Sequence, residues 1–249
     1  MCYHASVNAT YQQLEERYER PFLGNLFPSF TNKTEVVAYH LNGFDFPFMP
    51  VITQEQNTVM QCFQWGLIPN WTKNYEQAKT IRIQTLNAKS ETVFEKSSFK
   101  ESIKRQRCLV PLTGFFEWKE MGNKEKQPYF IRLKMQQIFS LAGIYATWQN
   151  TEEDRVYNTF SLLTTQANPL MAQIHNTKLR MPVILDQTEE KIWLEPKSTA
   201  TDLEKCFLPF AEESMEAYSI SKLIGSRKQS SNVPEVVLPF KYENLDLFS

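Results

Sequence analysis

The feature that most constrains the fold is a succession of short apolar runs, rich in β-branched and aromatic residues and separated by turn signals. Each run has the length of a strand, and helical periodicity is confined to a few short segments between them. This pattern predicts an α+β fold of mostly antiparallel strands, forming partly closed, barrel-like sheets with peripheral helices. The predicted strands lie at residues 2–7, 36–41, 49–53, 59–65, 107–112, 129–133, 138–144, 157–164 and 183–185.

The predicted helices lie at residues 8–20, 91–104, 165–173, 188–194 and 201–206, of which 165–173 is either a short helix or a turn. Asn8 and Thr188 are the expected N-caps of the first and fourth of these. The strand at 107–112 is expected to continue through Trp118. His40, which alternates with apolar neighbours in its strand, is expected to face solvent.

Length and charge narrow the class of protein. A chain of 249 residues without a linker or repeat is expected to form a single domain over residues 1–249. A net charge of −1 argues against coating duplex DNA by bulk charge, but it leaves room for a local basic groove. Glycine is scarce, at 7 residues, and neither a dinucleotide-binding nor a P-loop motif occurs. No cofactor is therefore expected.

The cysteine pattern and the hydropathy of the chain indicate its cellular compartment. The four cysteines are widely spaced and form no C-x-x-C pair, so neither a zinc ribbon nor a thioredoxin motif is predicted. The first residues have no basic segment followed by an apolar run, so a signal peptide is not expected. No apolar stretch approaches the roughly 18 residues that a spanning helix needs. We expect a cytoplasmic protein with reduced thiols and no membrane contact.

Cys2 follows the initiator Met1 directly. Removal of Met1 would place an α-amine, with a pKa of about 7.7–8.0, next to a thiol with a pKa of about 8.5. Such a 1,2-aminothiol condenses with an aldehyde to an imine, which the thiol closes into a thiazolidine. The commoner role of a cysteine is that of a small buried hydrophobe, and Cys2 alone does not decide between the two.

Two aromatic stretches carry further candidates. In WGLIPNW, Trp65 and Trp71 bracket a rigid turn followed by cationic residues. They are either core residues or a stacking platform for unpaired bases, each stack contributing ~1–3 kcal/mol. Glu117 is flanked by three aromatic residues. It either faces water on an alternating strand or is buried, in which case desolvation would make it an acid or base near neutral pH.

Several stretches, in order, resemble the SOS-response-associated peptidase family, the abasic-site processing proteins. They cover most of the chain: Met1-Cys2, WGLIPNW at 65–71, LNAKSET at 86–92, RCLVPLTGFFEW at 107–118, LAGIY at 141–145 and LLTTQANPLMAQIHNTKLRMPVIL at 162–185. The resemblance implies one domain of antiparallel sheets with a positively charged cleft for single-stranded DNA. It also implies covalent capture of abasic sites by the N-terminal cysteine, which protects them during the DNA-damage response.

The resemblance assigns roles by position. The catalytic set that it implies is Cys2, Asn87, Glu117 and His175. The DNA-binding set is Trp65, Trp71, Lys89 and Arg180. Neither a metal nor a cofactor is implied, and the expected partner of the monomer is single-stranded DNA that contains an abasic site. A lyase step and thiol-dependent self-removal of Met1 are further activities that the resemblance allows.

Three departures from the family pattern concern DNA binding. The family usually begins Met-Cys-Gly-Arg, whereas Tyr3 and His4 occupy those positions here. An arginine of the family's Asn-Ala-Arg motif is Lys89. His175 and Arg180 are separated by four residues, more than in the usual His-x-Arg-Met-Pro pattern. Loss of two arginines removes bidentate phosphate contacts, for which Lys178 and Arg180 are candidate replacements.

Three other functions remain open from sequence. The set Cys2, His175 and Asn87 also has the residue types of a cysteine peptidase or N-terminal-nucleophile amidohydrolase. A non-enzymatic binder of single-stranded nucleic acid would use the tryptophans and leave Cys2 inert. After loss of Met1, His4 would be the third residue, and an amino terminus with histidine third chelates Cu²⁺ or Ni²⁺.

Overall fold

The structure, a computed structural model, describes residues 2–23 and 35–242. These residues form thirteen strands and six α-helices. The strands are β1 (His4–Thr10), β2 (Val36–Asn42), β3 (Phe48–Thr53), β4 (Gln61–Trp65), β5 (Asn87–Lys89), β6 (Arg107–Leu112), β7 (Gly114–Gly122), β8 (Glu125–Leu133), β9 (Phe139–Asn150), β10 (Arg155–Gln166), β11 (Arg180–Pro182), β12 (Ile184–Leu185) and β13 (Met215–Ser219). The helices are α1 (Tyr11–Tyr18), α2 (Tyr75–Gln84), α3 (Lys100–Arg105), α4 (Pro169–Ile174), α5 (Gln187–Leu194) and α6 (Ala200–Lys205).

One sheet has five antiparallel strands in the order β13-β8-β7-β1-β2. The N-terminal strand β1 therefore lies inside the sheet, between β7 and β2. His4 lies opposite Phe116 of β7 and opposite Asn42 of β2. This register fixes the start of the chain beside the middle of β7.

The second sheet closes on itself. Its strands run in the order β10-β4-β3-β6-β9, and β9 pairs in turn with β10 to complete a five-stranded barrel. All of these pairs are antiparallel except β10 with β4. The short strands β5, β11 and β12 extend the barrel wall. The predicted α+β fold of mostly antiparallel strands with peripheral helices is thus confirmed, and the barrel closes fully.

The chain passes from one sheet to the other at Thr113. The prediction of one continuous strand from 107 to 118 is wrong, because β6 belongs to the barrel and β7 to the five-stranded sheet. Thr113 turns the chain by donating its backbone N–H to Ser6 O at 2.9 Å. A Cβ on Gly114 would collide with the Phe130 ring, so the close approach of β8 to β7 depends on glycine at this position. A single apolar cluster lines both sheets.

Two helices begin at residues that differ from those predicted. Asn8 lies within β1 and its backbone N–H donates to Thr113 Oγ1 at 2.8 Å, so it cannot cap α1. Thr10 is the N-cap instead, in a capping box with Gln13. Asp186 rather than Thr188 caps α5, in a capping box with Glu189. The first error arose because β1 runs further than the sequence pattern indicated. The second arose because α5 begins directly after β12, earlier than predicted.

The predicted helix at 91–104 was also too long. Only α3 is α-helical in this segment, and a single 3-10 turn covers Ser90–Thr92. Within the described residues, no helix has the length and apolarity needed to cross a membrane.

Arg107, at the start of β6, joins the barrel to two helices. Its side chain is fully buried. The guanidinium donates to Trp193 O at 2.7 Å and Glu195 O at 2.6 Å, at the C-terminus of α5. It also donates to Lys104 O at 2.8 Å, at the C-terminus of α3. Carbonyls at helix C-termini lack intrahelical donors, so this one cation satisfies groups that burial would otherwise penalise.

Replacing Arg107 with Met should destabilise the fold by at least ~3 kcal/mol, because each buried carbonyl that loses its donor costs roughly 1–3 kcal/mol. Urea unfolding followed by circular dichroism measures the change. Arg105→Met, at an exposed neighbour, is the matched control and should cost under about 0.5 kcal/mol. Equal unfolding midpoints for the two variants would contradict this role of Arg107.

Candidate active site

A cavity of about 560 Å³ opens beside the start of β1 and the middle of β7. Its walls combine aromatic, acidic and cationic side chains. The aromatic part is formed by Tyr3, His4 and Trp118, and His175 lies on the opposite chain segment that follows α4. Of the predicted site residues, Lys89, Glu117, His175 and Arg180 line the cavity.

Cys2 lies behind this wall and is fully buried. Asn87 Nδ2 donates to the Cys2 carbonyl oxygen at 2.9 Å, and the Cys2 thiol lies 3.7 Å from His4 O. Burial raises the pKa of the Cys2 thiol, and the negative charge of Glu117 raises it further. The thiol is therefore protonated at neutral pH in this arrangement, and Glu117 is close enough to influence its proton.

Asn87 lies on β5, which is held against the barrel by parallel pairing with β10. This pairing places a residue that composition alone would assign to a loop next to the chain's N-terminal segment. Its side chain is 8% exposed. The Asn87 Oδ1 atom is buried and has no hydrogen-bond partner among the described residues. A buried amide oxygen of this kind is an acceptor that an incoming hydroxyl or amine can satisfy.

Glu117 is buried on β7, with 5% of its surface exposed. The alternative in which it faces water is therefore wrong. Burial raises the pKa of Glu117 to about 7, because a carboxylate loses its hydration in the protein interior. Near neutral pH both protonation states are populated, which is the condition for an effective general acid or base. Its Oε1 lies 3.8 Å from His175 Nδ1.

His175 follows the last residue of α4. Its Nδ1 lies 3.0 Å from the carbonyl oxygen of Arg180. A carbonyl can only accept, so Nδ1 carries the proton and Nε2 carries the lone pair in the neutral ring. Burial lowers the pKa of His175, and nearby positive charges that include Lys178 and Lys126 lower it further. The ring is thus neutral near pH 7 and its Nε2 is the atom that takes up or returns a proton.

Four cationic side chains line the cavity: Lys89, Lys126, Lys178 and Arg180. Two of them, Lys126 and Arg180, are paired with acidic side chains. Arg180 makes a bidentate ion pair with Glu91, with its Nη2 at 2.9 Å from Glu91 Oε2, and also donates to Thr164 O at 2.6 Å. Lys126 lies 3.2 Å from Glu120.

Lys89 and Lys178 make no ion pair with any described residue. The charge of Arg180 is balanced by Glu91, and its carbonyl orients His175. The role of Arg180 in DNA binding stays a prediction.

Of the two tryptophans predicted to stack on bases, one is buried and one is exposed. Trp65 is fully buried, and its Nε1 donates to Leu86 O at 2.8 Å. Its ring packs in the barrel core, so the prediction that Trp65 stacks on bases is wrong. Trp71 is 45% exposed but does not line the cavity, and its role in DNA binding stays a prediction. The tryptophan on the cavity wall is Trp118, whose only sequence signal was its place among the aromatics around Glu117.

His4, which is partly buried on the cavity wall, pairs with the buried His40 behind it. His4 Nδ1 lies 2.8 Å from His40 Nε2, and His40 Nδ1 lies 2.7 Å from Ser231 Oγ. Asn232 Oδ1 accepts from the backbone N–H of His40 at 3.1 Å. The prediction that His40 faces solvent is wrong, because the segment around Ser231 covers that face of β2.

His4 Nδ1, the atom that would be needed by a metal chelate at the amino terminus, is thus engaged with His40. The described residues contain no group of three or more His, Cys, Asp or Glu side chains placed to hold a metal ion.

Comparison with known proteins assigns this constellation to a family. A sequence model of the SOS response associated peptidase (SRAP) family matches residues 1–227. The chain belongs to this family. It is 38% identical over 190 residues to the abasic site processing protein YoqW of Bacillus subtilis (strain 168), covering 76% of this chain and 80% of YoqW. It is 28% identical over 208 residues to the abasic site processing protein HMCES of Pongo abelii, covering 73% of this chain and 57% of HMCES.

A solved structure has the same fold as this SRAP protein. The X-ray structure of a protein from Bacteroides thetaiotaomicron superposes with a TM-score of 0.88 at 40% identity, over 96% of this chain and 100% of that one. Ser231 and Asn232, which contact His40, lie beyond the residues that the SRAP family model matches.

The histidine pair should make this SRAP protein acid-sensitive. Burial lowers the pKa of His4 to about 3 and that of His40 to about 4, from 6.5. Below about pH 6.5 the two histidines are protonated in the unfolded chain but stay neutral in the folded one. The free energy of unfolding therefore falls as the pH drops from about 6.5 to 4. Urea midpoints measured across this range should fall less steeply in His40→Gln, and less steeply still in the His4→Gln/His40→Gln double variant. Identical slopes in all three proteins would contradict the argument.

Proposed function

We propose that this protein captures abasic sites in single-stranded DNA through Cys2, once removal of Met1 has made Cys2 the N-terminal residue. The product is a thiazolidine crosslink that shields the lesion during the DNA-damage response. The observation that carries the proposal is the meeting of Cys2, Asn87, Glu117 and His175 beside a cavity lined with cations. The names of the relatives YoqW and HMCES, abasic site processing proteins, support the same substrate.

The first chemical step needs an aldehyde and an unprotonated amine. An abasic deoxyribose is in equilibrium with a ring-opened form that carries an aldehyde at C1′. Protonation of the ring oxygen O4′ favours opening, and His175 Nε2, after taking up a proton, is the group that would donate it. The Cys2 α-amine then attacks C1′, with Glu117 accepting a proton from the nitrogen. Loss of water from the resulting carbinolamine, helped by protonated Glu117, gives the imine.

The second step closes the ring. The Cys2 sulfur bonds to the imine carbon, the thiol proton leaves to Glu117, and the imine nitrogen gains a proton to become a secondary amine. The sum of the two steps is aldehyde plus aminothiol giving thiazolidine plus water, with no oxidant or metal required. Asn87 holds the Cys2 carbonyl through Nδ2, and its buried Oδ1 is the acceptor that the attacking amine or a sugar hydroxyl would occupy.

The electrostatics of Cys2 favour crosslinking over peptide hydrolysis. A cysteine peptidase needs a thiolate, which enzymes obtain by lowering the thiol pKa. Here burial and Glu117 raise the pKa of the Cys2 thiol. This environment suits a mechanism in which the Cys2 amine attacks the aldehyde first and the neutral thiol adds to the imine afterwards. It does not suit a thiolate nucleophile.

The cavity favours DNA as the partner. Lys89 and Lys178 lack acidic partners among the described residues, Lys126 adds a third cation, and Trp118 offers an aromatic face on the same wall. Cations with an interleaved aromatic are the usual means of holding single-stranded nucleic acid. We propose that the protein acts as a monomer on DNA in the cytoplasm.

Cys2 variants test the chemistry. Wild-type protein incubated with single-stranded DNA carrying one abasic site should give an adduct that survives denaturing electrophoresis. Cys2→Ala should give no stable thiazolidine. Cys2→Ser should give at most an imine that needs borohydride trapping, because a hydroxyl closes the ring poorly. Cys62→Ala serves as the matched control and should crosslink like wild type.

Intact mass of the wild-type protein checks that Met1 has been removed, since an acylated Cys2 cannot form the imine. DNA with a tetrahydrofuran analogue, which has no aldehyde, should bind without crosslinking. The absence of an adduct from the mature wild-type protein, or a stable adduct from Cys2→Ala, would overturn the proposal.

The pH dependence tests Glu117. Because its ionised form accepts the proton from the amine, the single-turnover rate of crosslinking should rise with pH through about 7, where Glu117 loses its proton. Glu117→Gln should slow the reaction roughly 10²–10⁴-fold and abolish this inflection, the range typical of general acid–base groups. Glu125→Gln, at a carboxylate that pairs with Lys222 outside the cavity, should leave the pH profile unchanged. Retention of the inflection in Glu117→Gln would assign it to another group.

A further inference from the structure

The segment between His175 and Arg180 is exposed, yet fixed at both ends. The Asn176 amide forms two hydrogen bonds with the backbone of Glu120 on β7. Its Nδ2 donates to Glu120 O at 3.0 Å, and its Oδ1 accepts from the Glu120 N–H at 3.1 Å. A side chain that pairs with a strand in this way substitutes for one residue of a neighbouring strand. We call residues 176–179 the latched loop.

The other end of the latched loop is held by backbone bonds. The Leu179 N–H donates to His175 O at 2.9 Å, and the Ala167 N–H donates to Leu179 O at 3.0 Å. Leu179 adopts a φ of 52°, a left-handed conformation that costs a non-glycine residue energy. The strain is maintained by bonds on both sides, so the position of Lys178 between them is defined by the backbone.

Lys178 is the cation that this arrangement presents to the cavity. Its side chain is exposed and lines the cavity with Thr177. Unlike Lys126 and Arg180, which are balanced by Glu120 and Glu91, it makes no ion pair with any described residue. An uncompensated ammonium held at a cavity rim is suited to a phosphate, which it binds as a point charge.

We propose that Lys178 binds a backbone phosphate of the DNA at the rim of the cavity, where the latched loop holds it beside His175. This inference rests on the proposed function and names one of its phosphate contacts. A phosphate contact must keep a fixed distance from the sugar that reacts. The proposal therefore explains why Asn176 holds the exposed latched loop against β7.

Binding of a phosphate at Lys178 would act on His175 as well. The charged groups that face His175 are Glu117 at 3.8 Å, the amino terminus, Lys178 and Lys126, together with the Arg180 carbonyl. The two lysines lower the pKa of His175. A phosphate that neutralises Lys178 removes part of this effect and raises the pKa of His175. The proton that O4′ needs would therefore be taken up when DNA is in place.

The experiment uses the mature full-length protein and single-stranded DNA with the tetrahydrofuran analogue, so that binding is measured without crosslinking. The logarithm of the association constant falls linearly with the logarithm of salt concentration, by about 0.7 per phosphate neutralised on single strands. Lys178→Ala should reduce the magnitude of this slope by about 0.7 and weaken binding equally for oligonucleotides of different sequence. Lys178→Arg should restore the slope.

Two further variants separate binding from folding. Lys197→Ala, at an exposed lysine outside the cavity, is the matched control and should keep the wild-type slope. Asn176→Ala keeps Lys178 but releases the loop from Glu120, and it should weaken binding with little change in the urea midpoint. A wild-type slope in Lys178→Ala would overturn the phosphate contact while leaving crosslinking, and with it the proposed function, intact. Failure of the wild-type protein to bind or crosslink would overturn both.

The His175 imidazole gives an independent readout by NMR titration. In the free protein, Lys178→Ala should raise the pKa of His175, since a neighbouring positive charge is lost. Addition of the tetrahydrofuran DNA should raise the pKa in wild type and raise it less in Lys178→Ala. An equal rise in both proteins would show that the phosphate lies elsewhere.

Discussion

The pairing of β1 with β7 is the interaction on which the site depends. It places His4 opposite Phe116, and so brings Cys2 alongside the segment that carries Glu117. A slip of one residue would exchange the two faces of β1 and direct the wrong side chains into the cavity. The Asn87 amide adds a second restraint from the barrel, through the Cys2 carbonyl. The N-terminal segment is thus held by both sheets.

Burial sets the protonation states of the site. The same desolvation raises the pKa of Glu117 and lowers that of His175, because each group is moved toward its neutral form. Glu117 thereby titrates near neutral pH, and His175 is held in its neutral form there. For Glu117, burial is the cause that raises the pKa, whereas the amino terminus and the Trp118 backbone lower it.

Much of the fold could be predicted from local pattern, and the errors have physical causes. Apolar runs of strand length located most strands, because alternating apolar and polar residues and β-branched residues are typical of strands with a buried face. The same runs could not show that the chain changes sheets at Thr113, since that depends on how closely β8 approaches Gly114. The start of α1 was misplaced for a similar reason: strand pairing extended β1 past Asn8.

The candidate site was predicted unevenly. Glu117 could be singled out because a carboxylate among aromatics is unusual, whereas Asn87 was found only through resemblance, since nothing local distinguishes it from a loop residue. Trp65 was predicted to stack on bases because a sequence motif does not show whether a tryptophan ring is buried or exposed. Trp118 and Lys126 were not singled out at all. They reach the cavity through strand register, which is a property of the sheet rather than of the neighbouring sequence.

The central place of β1 also has a consequence for the order of events during synthesis. The strand that follows Cys2 cannot be enclosed until β7 has been made, more than a hundred residues later. At translation rates of about 5–20 residues per second, this leaves an interval of roughly 5–25 s in which β1 can pair with β2 but not yet with β7. Enzymes that process nascent chains can reach Cys2 throughout that interval. The fold thus closes over Cys2, the proposed nucleophile, only after there has been time to remove Met1.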